Sequence, residues 1–136
     1  MTTSQANIAA DIYADYADTL AEGDPDAAAG YFVTASALYR STGRDDEAFE
    51  VLEAASALRP GDAETAGALT RVRNELADKY HRQASAAYRR QQLDEAIAIW
   101  DHVLEIDPDH NNAQVLRAQA MELKDRLSKL NNGAQQ

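Results

Sequence analysis

Two stretches of this chain can be laid over each other without a gap at a separation of 48 residues: "DEAFEVLEAASALRPGD" at 46–62 and "DEAIAIWDHVLEIDPDH" at 94–110. Asp46 meets Asp94, Glu47 meets Glu95, Ala48 meets Ala96 and Pro60 meets Pro108, while Leu52 lies over Trp100 and Ala55 over Val103. Each stretch also follows a run bearing aromatic residues, Phe32 and Tyr39 before the first, Tyr80 and Tyr88 before the second. A short amphipathic helix closed by proline cannot bury its own apolar face. Such a unit has to stack on neighbours, so the repeat constrains the fold more than any single motif.

The remaining sequence is helical in pattern. No β-branched alternation and no Asn-Gly or Asp-Gly hairpin signal separates the apolar runs. A first helix is predicted from about Ser4 to Glu22, with Ile8, Ile12, Tyr16 and Leu20 at four-residue intervals. Asp24 is placed to cap a second helix that has Pro25 at its first position and runs to Ser41, with Phe32, Ala35 and Tyr39 on one side. Gly43 stops it, and a third helix starts at Asp45 or Asp46. From Asp62, a cap residue, to Gln91 there is no proline, and apolar residues recur at Ala66, Leu69, Val72, Leu76, Tyr80, Ala84 and Ala87. That spacing predicts one long central helix of about 29 residues, near 43 Å at about 1.5 Å per residue. A fifth helix covers Leu93 to Ile106. A sixth runs from about Asp109 to Leu130 along the edge Ala113, Leu116, Ala120, Leu123, Leu127 and Leu130, leaving "NNGAQQ" as a frayed tail. The expected fold is all-α, about six helices in one domain over 1–136.

Taken together, these residues resemble the tetratricopeptide repeat family. "YHRQASAAYRRQQLDEAIAIWDHVLEIDP" looks like one repeat, with the signature alanine at Ala96, the bulky residue at Trp100 and the closing Pro108. "YFVTASALYRSTGRDDEAFEVLEAASALRP" is similar and keeps the turn glycine at Gly43, where the second repeat has Gln91. The resemblance implies a solenoid of antiparallel helix-turn-helix repeats, with units at about 29–62 and 77–110 and flanking or capping helices at 1–28 and 111–130. Repeats of this family follow at about 34 residues. The longer period here is expected to lengthen the fourth helix, its front half packed on the third and its rear half on the fifth.

The same resemblance implies a function. In this family the first helix of each repeat lines a concave groove that receives a peptide or helix of another protein. By alignment the groove residues are Val33, Ala37 and Arg40 in the first repeat, and Asp78, His81, Ser85, Tyr88 and Arg89 in the second. Arg40, Arg89 and Arg82 are suited to acidic groups of a partner and Tyr88 to apolar contact, although Arg82 and Arg89 can equally pair with acids of the chain itself, such as Asp78. Some members clamp a terminal carboxylate with Lys and Asn. The matching sites hold Val33 and Ala37, or His81 and Ser85, so that mode is disfavoured.

Other chemistry is weaker. "DPDHNN" at 107–112 starts like a calcium loop, but Asn112 stands where glycine is needed and Ala118 where the bidentate glutamate belongs. His102 and Glu105 share a helix face and could meet one metal ion, yet a site needs three or four ligands. The structural alternative is an outward face of the fifth helix, with His110 in an exposed turn. Cysteine is absent, so disulfides and thiolate sites are excluded. No serine sits in a nucleophile elbow and no Gly-rich loop cradles phosphate. The expectation is a non-enzyme with no metal and no cofactor.

Charge narrows the partners. The net charge of −10 argues against nucleic acid, whose phosphates need a basic surface. It is uneven: residues 1–68 hold three Arg and thirteen acids, while 69–136 hold ten of each sign, and Arg71 to Arg90 is locally basic. Such polarity can steer a partner or align copies of the chain. No apolar run approaches the roughly 20 residues that span a bilayer, and the N-terminal residues do not read as a signal peptide. The chain is expected to be soluble, in the cytoplasm or, if a targeting segment has been removed, in a bacterial periplasm. Another protein is the expected partner. The second reading is homo-oligomerisation through the long fourth helix and the last one.

Overall fold

A computed structural model describes residues 1–134. Among these residues the chain forms six helices and no strand: α1 (Thr3–Leu20), α2 (Pro25–Ser41), α3 (Asp45–Leu58), α4 (Ala63–Arg89), α5 (Leu93–Ile106) and α6 (Asn111–Ala134). They form two compact units, Met1–Arg73 and a second that begins at Asn74. Helix α4 is unbroken from Ala63 to Arg89 and supplies residues to both.

In the first unit, α1 and α2 run antiparallel. Near one end the Thr42 hydroxyl donates to Asn7 Oδ1 and the Tyr39 hydroxyl to Asp11 Oδ1, each at 2.6 Å. Near the other, the Tyr31 ring stacks on Tyr13 and meets Tyr16 edge-on. Burial, and then the bond to the Asp11 carboxylate, push the Tyr39 phenol up to about 12. The Arg44 guanidinium covers the same ring at 4.7 Å and reaches Asp11 at 3.4 Å, joining the start of α3 to this contact. Helix α3 returns along α2, so that Arg59 at its end bonds the Asp26 carboxylate and backbone carbonyl at the start of α2. Between them Phe32, Ala35, Ala48, Leu52 and Ala55 are buried. Alanines at 0 % exposure let the helix axes approach closely, and Leu52 fills the space left.

The four-residue stripe that marks α1 is not its buried face: Ile8, Ile12 and Tyr16 are exposed, and α1 buries Ala6, Ala10 and Ala17 instead. A stripe marks a helix without saying which side has a neighbour. The small side chains win the interior because they permit the closer approach to α2.

Helix pairs α2–α3 and α4–α5 are joined by turns with one hydrogen-bond pattern at the 48-residue offset. Arg44 N–H bonds the Tyr39 carbonyl and Gly43 N–H that of Arg40; Gln92 N–H bonds that of Ala87 and Gln91 N–H that of Tyr88. These paired bonds form a Schellman cap, which needs a left-handed residue just past the helix. Gly43 takes that conformation at φ 79°, and Gln91 is forced into it at φ 62°. This ends α4 at Arg89, two residues short of the sequence expectation. A left-handed non-glycine residue costs about 1–2 kcal/mol. Gln91→Gly is therefore expected to raise the stability of the second unit by about 0.5–1 kcal/mol, after allowing for the greater freedom of glycine in the unfolded chain. The urea midpoint followed by Trp100 fluorescence measures it.

The turns into α4 and α6 also match. Asp62 accepts from Thr65 N–H at 3.2 Å and from the Thr65 hydroxyl, which holds its carboxyl below the usual range. At the equivalent place His110 Nδ1 accepts from Ala113 N–H at 3.1 Å. Asp24 caps α2 by accepting from Ala27 N–H, with Pro25 in the first turn as expected.

In the second unit, α5 packs against α4 through Trp100, and α6 runs antiparallel to α5. Asp101 pairs with Arg117 and Asp94 with Lys124 at 2.6 Å. Trp100, Val103, Ala96, Ala113 and Ala120 are at 0 % exposure. The apolar edge of α6 is buried at its front and exposed at its rear, where Leu127 and Leu130 stand. The expected frayed tail is corrected for 131–134, because α6, which starts at Asn111, stays helical to Ala134; Gln135 and Gln136 lie outside the described residues.

Candidate functional site

The first set of expected groove residues lies on α2. Val33 is half-buried, and Ala37 and Arg40 are exposed, on the side away from the buried Phe32 and Tyr39. Beside Val33 the unit opens a cleft of about 290 Å³. Gly30 and Val33 form one wall, Arg59 and Asp62 the end, and Thr65, Ala68 and Arg71 the other wall. Arg59 is held by Asp26, whereas Arg71 is exposed at the rim. Sequence reasoning missed Thr65 and Arg71, which come from α4, and Gly30, which lies three residues before Val33 on α2 itself.

The second set lies on one face of α4, in the second unit. Asp78 and Arg89 are exposed, and His81, Ser85 and Tyr88 are half-buried. Two of the five are bonded within the unit. His81 Nδ1 accepts the Trp100 indole N–H at 3.0 Å, and Asp78 Oδ1 accepts from His110 Nε2 at 3.1 Å. The His81 and His110 rings lie 4.9 Å apart. The expected exposed turn at His110 is thereby corrected: its side chain is only 10 % exposed, because it caps α6 with one nitrogen and reaches Asp78 with the other. Asp78 pairs with His110, not with Arg82. Tyr88 packs at 5.8 Å from Trp100. On another side of α4, Lys79, Arg82, Gln83 and Arg90 face Glu95 and Ile99 across an open cleft of about 480 Å³.

These contacts fix protonation. Since His81 Nδ1 is an acceptor, its proton sits on Nε2. A second proton would point a donor at the indole donor. Burial first, then the charge of His110, lower the pKa of His81, with Arg82 in the same direction and Asp78 opposing. The folded value thus lies below the unfolded 6.5. Above the unfolded value both states are neutral and His81 contributes nothing to the pH dependence. As pH falls below it, the unfolded chain takes up a proton that the folded chain resists, so stability falls until the folded pKa is reached. The urea midpoint is expected to drop between about pH 7 and 5, and the drop to shrink in His81→Gln, whose amide oxygen can accept the indole proton without titrating. An equal drop in His81→Gln would assign the effect to other groups.

His102 lies 3.4 Å from Glu105 and edge-on to the Tyr80 ring. Among the described residues no three His, Cys, Asp or Glu side chains are grouped to hold a metal ion. No described helix is long and apolar enough to cross a membrane.

No protein-family model matches the chain, and no curated protein matches it. What it can do has to be read from its own geometry. The exposed face of α2 beside a cleft, and that of α4 with Tyr88 and Arg89, offer apolar area and guanidinium groups.

Proposed function

We propose that this chain is a non-catalytic protein-interaction module of tetratricopeptide-like build, whose first-helix faces receive a peptide or helix of another protein. The observation that carries the reading is the recurrence of one capped helix pair, α2–α3 and α4–α5, at a fixed offset. It is the pattern expected of a repeat protein, in which the outer face of each first helix, α2 or α4, offers a binding surface. Val33, Ala37 and Arg40, with Arg71 nearby, form the surface in the first unit; Ser85, Tyr88 and Arg89 form it in the second. Asp78 and His81 shape that surface while Asp78 holds the start of α6 and His81 holds α5. Exposed arginines next to a half-buried tyrosine favour a partner carrying carboxylates beside an apolar residue.

Selection of a random-peptide library on the immobilised chain tests this. Enriched peptides are expected to carry Asp or Glu beside an apolar residue and to bind with micromolar affinity. Tyr88→Ala together with Arg89→Ala should weaken them at least roughly tenfold, about 1.4 kcal/mol, with helicity unchanged. Absence of enrichment, or unchanged affinity in the double variant, would remove the groove. A second reading, an assembly module that binds copies of itself, is favoured by one observation: the apolar outer stripe of α1.

A further inference from the structure

In α1, Ile8, Ile12 and Tyr16 are 57, 61 and 50 % exposed, opposite the buried Ala6, Ala10 and Ala17. The helix carries Asp11, Asp15 and Asp18 and no cation. The rear of α6 carries the other exposed apolar stripe. Leu127 and Leu130 are 45 and 69 % exposed, and the cations beside them are already paired, Lys124 with Asp94, Arg126 with Glu122 and Lys129 with Asp125, so this face is close to neutral. Pairing α1 with α1 would set acid against acid, whereas the near-neutral rear of α6 meets the apolar stripe of α1 without that repulsion.

The turns give a second, independent argument. Helix α1 leads into an Asp-capped helix through residues 21–24, as α3 leads into α4 through 59–62, so α1 has the place of a second helix. Helix α6 opens with the bonds that open α4, so it has the place of a first helix. The other first helices, α2 and α4, are each packed by a second helix, α3 and α5.

We propose that α6 of one copy takes α1 of another copy as its second helix, so that copies of this chain associate head to tail through Ile8, Ile12 and Tyr16 against Leu127 and Leu130. This specifies the assembly reading above and rests on it. A contact of about three turns per helix falls below the roughly 1,200 Å² of stable complexes, so the association is micromolar.

Sedimentation of the full chain up to millimolar concentration is the test, with two variants at exposed positions. Wild type should self-associate. Ile12→Glu spoils every α1 stripe and Leu127→Glu every α6 stripe, so each alone should stay monomeric. Mixed, they should form a one-to-one pair and nothing larger, since each retains the face the other lacks. Leu130→Glu serves in place of Leu127→Glu should that variant lose helicity. A wild type that stays monomeric overturns the assembly reading altogether. Self-association of Ile12→Glu alone, or of Leu127→Glu alone, or failure of the mixture to pair, leaves assembly standing and overturns this interface.

Discussion

Trp100→Ala is expected to destabilise the second unit by about 3–5 kcal/mol, the largest effect of any single truncation in it. Trp100 is the only tryptophan and is at 0 % exposure, touched by Tyr88 and by His81. Two losses contribute, and they differ in size. Removing the indole leaves a cavity larger than neighbouring side chains can fill, and forfeits the dispersion contacts of the biggest core residue. It also leaves His81 Nδ1 without its donor. His81 is half-exposed, so water can replace the indole N–H and the cost is modest. Trp100→Phe separates the two, because it keeps most of the volume and loses the donor. It should cost about 1–2 kcal/mol, mostly from imperfect filling. Urea denaturation has to be followed by far-UV circular dichroism, since both variants lack the fluorophore. Equal losses for Ala and Phe would mean that the hydrogen bond, not the packing, holds α4 to α5.

Leu52→Ala is expected to cost about 2–5 kcal/mol in the first unit. Leu52 occupies the position 48 residues before Trp100 and is 1 % exposed, on the face of α3 that packs on α2, with the buried Ala48 and Ala55 beside it. Alanine neighbours cannot move inward to collapse the hole, because their side chains end at Cβ. The residual cavity term is therefore large for a leucine. Circular dichroism in urea again provides the measurement. A loss below about 1 kcal/mol would show that the helices close over the gap and that the unit is more plastic than its packing implies.

Much of the local structure was legible because it depends on neighbours in sequence. Asp24 with Pro25, Asp62 before an apolar run, and Gly43 after one each satisfy backbone groups within the same few residues. The helix existence and most boundaries follow from them. Gln91 shows the limit of that reasoning: a residue with no preference for the left-handed region adopts it because the turn geometry, shared with Gly43, demands it. His110 shows another. It could have been recognised as a cap by carrying the 48-residue offset two positions past Pro108. Its bond to Asp78, 32 residues away, had no local signal. The same holds for the candidate surfaces. The spacing of Ser85, Tyr88 and Arg89 places them on one face of a helix, but that Asp78 and His81 are engaged by α5 and α6 depends on which helices pack there.

By itself, then, the order of residues determined six helices, the caps at Asp24, Asp62 and Gly43 and the internal repetition, because hydrogen bonds over three to five residues and apolar periodicity are chain-local quantities. Tertiary packing decided which stripe of α1 faces solvent, where Leu127 and Leu130 lose their cover, and which imidazole nitrogen of His81 carries its proton. Those outcomes turn on shape and proximity between segments distant in the chain, and the free energy of close packing depends on both partners at once.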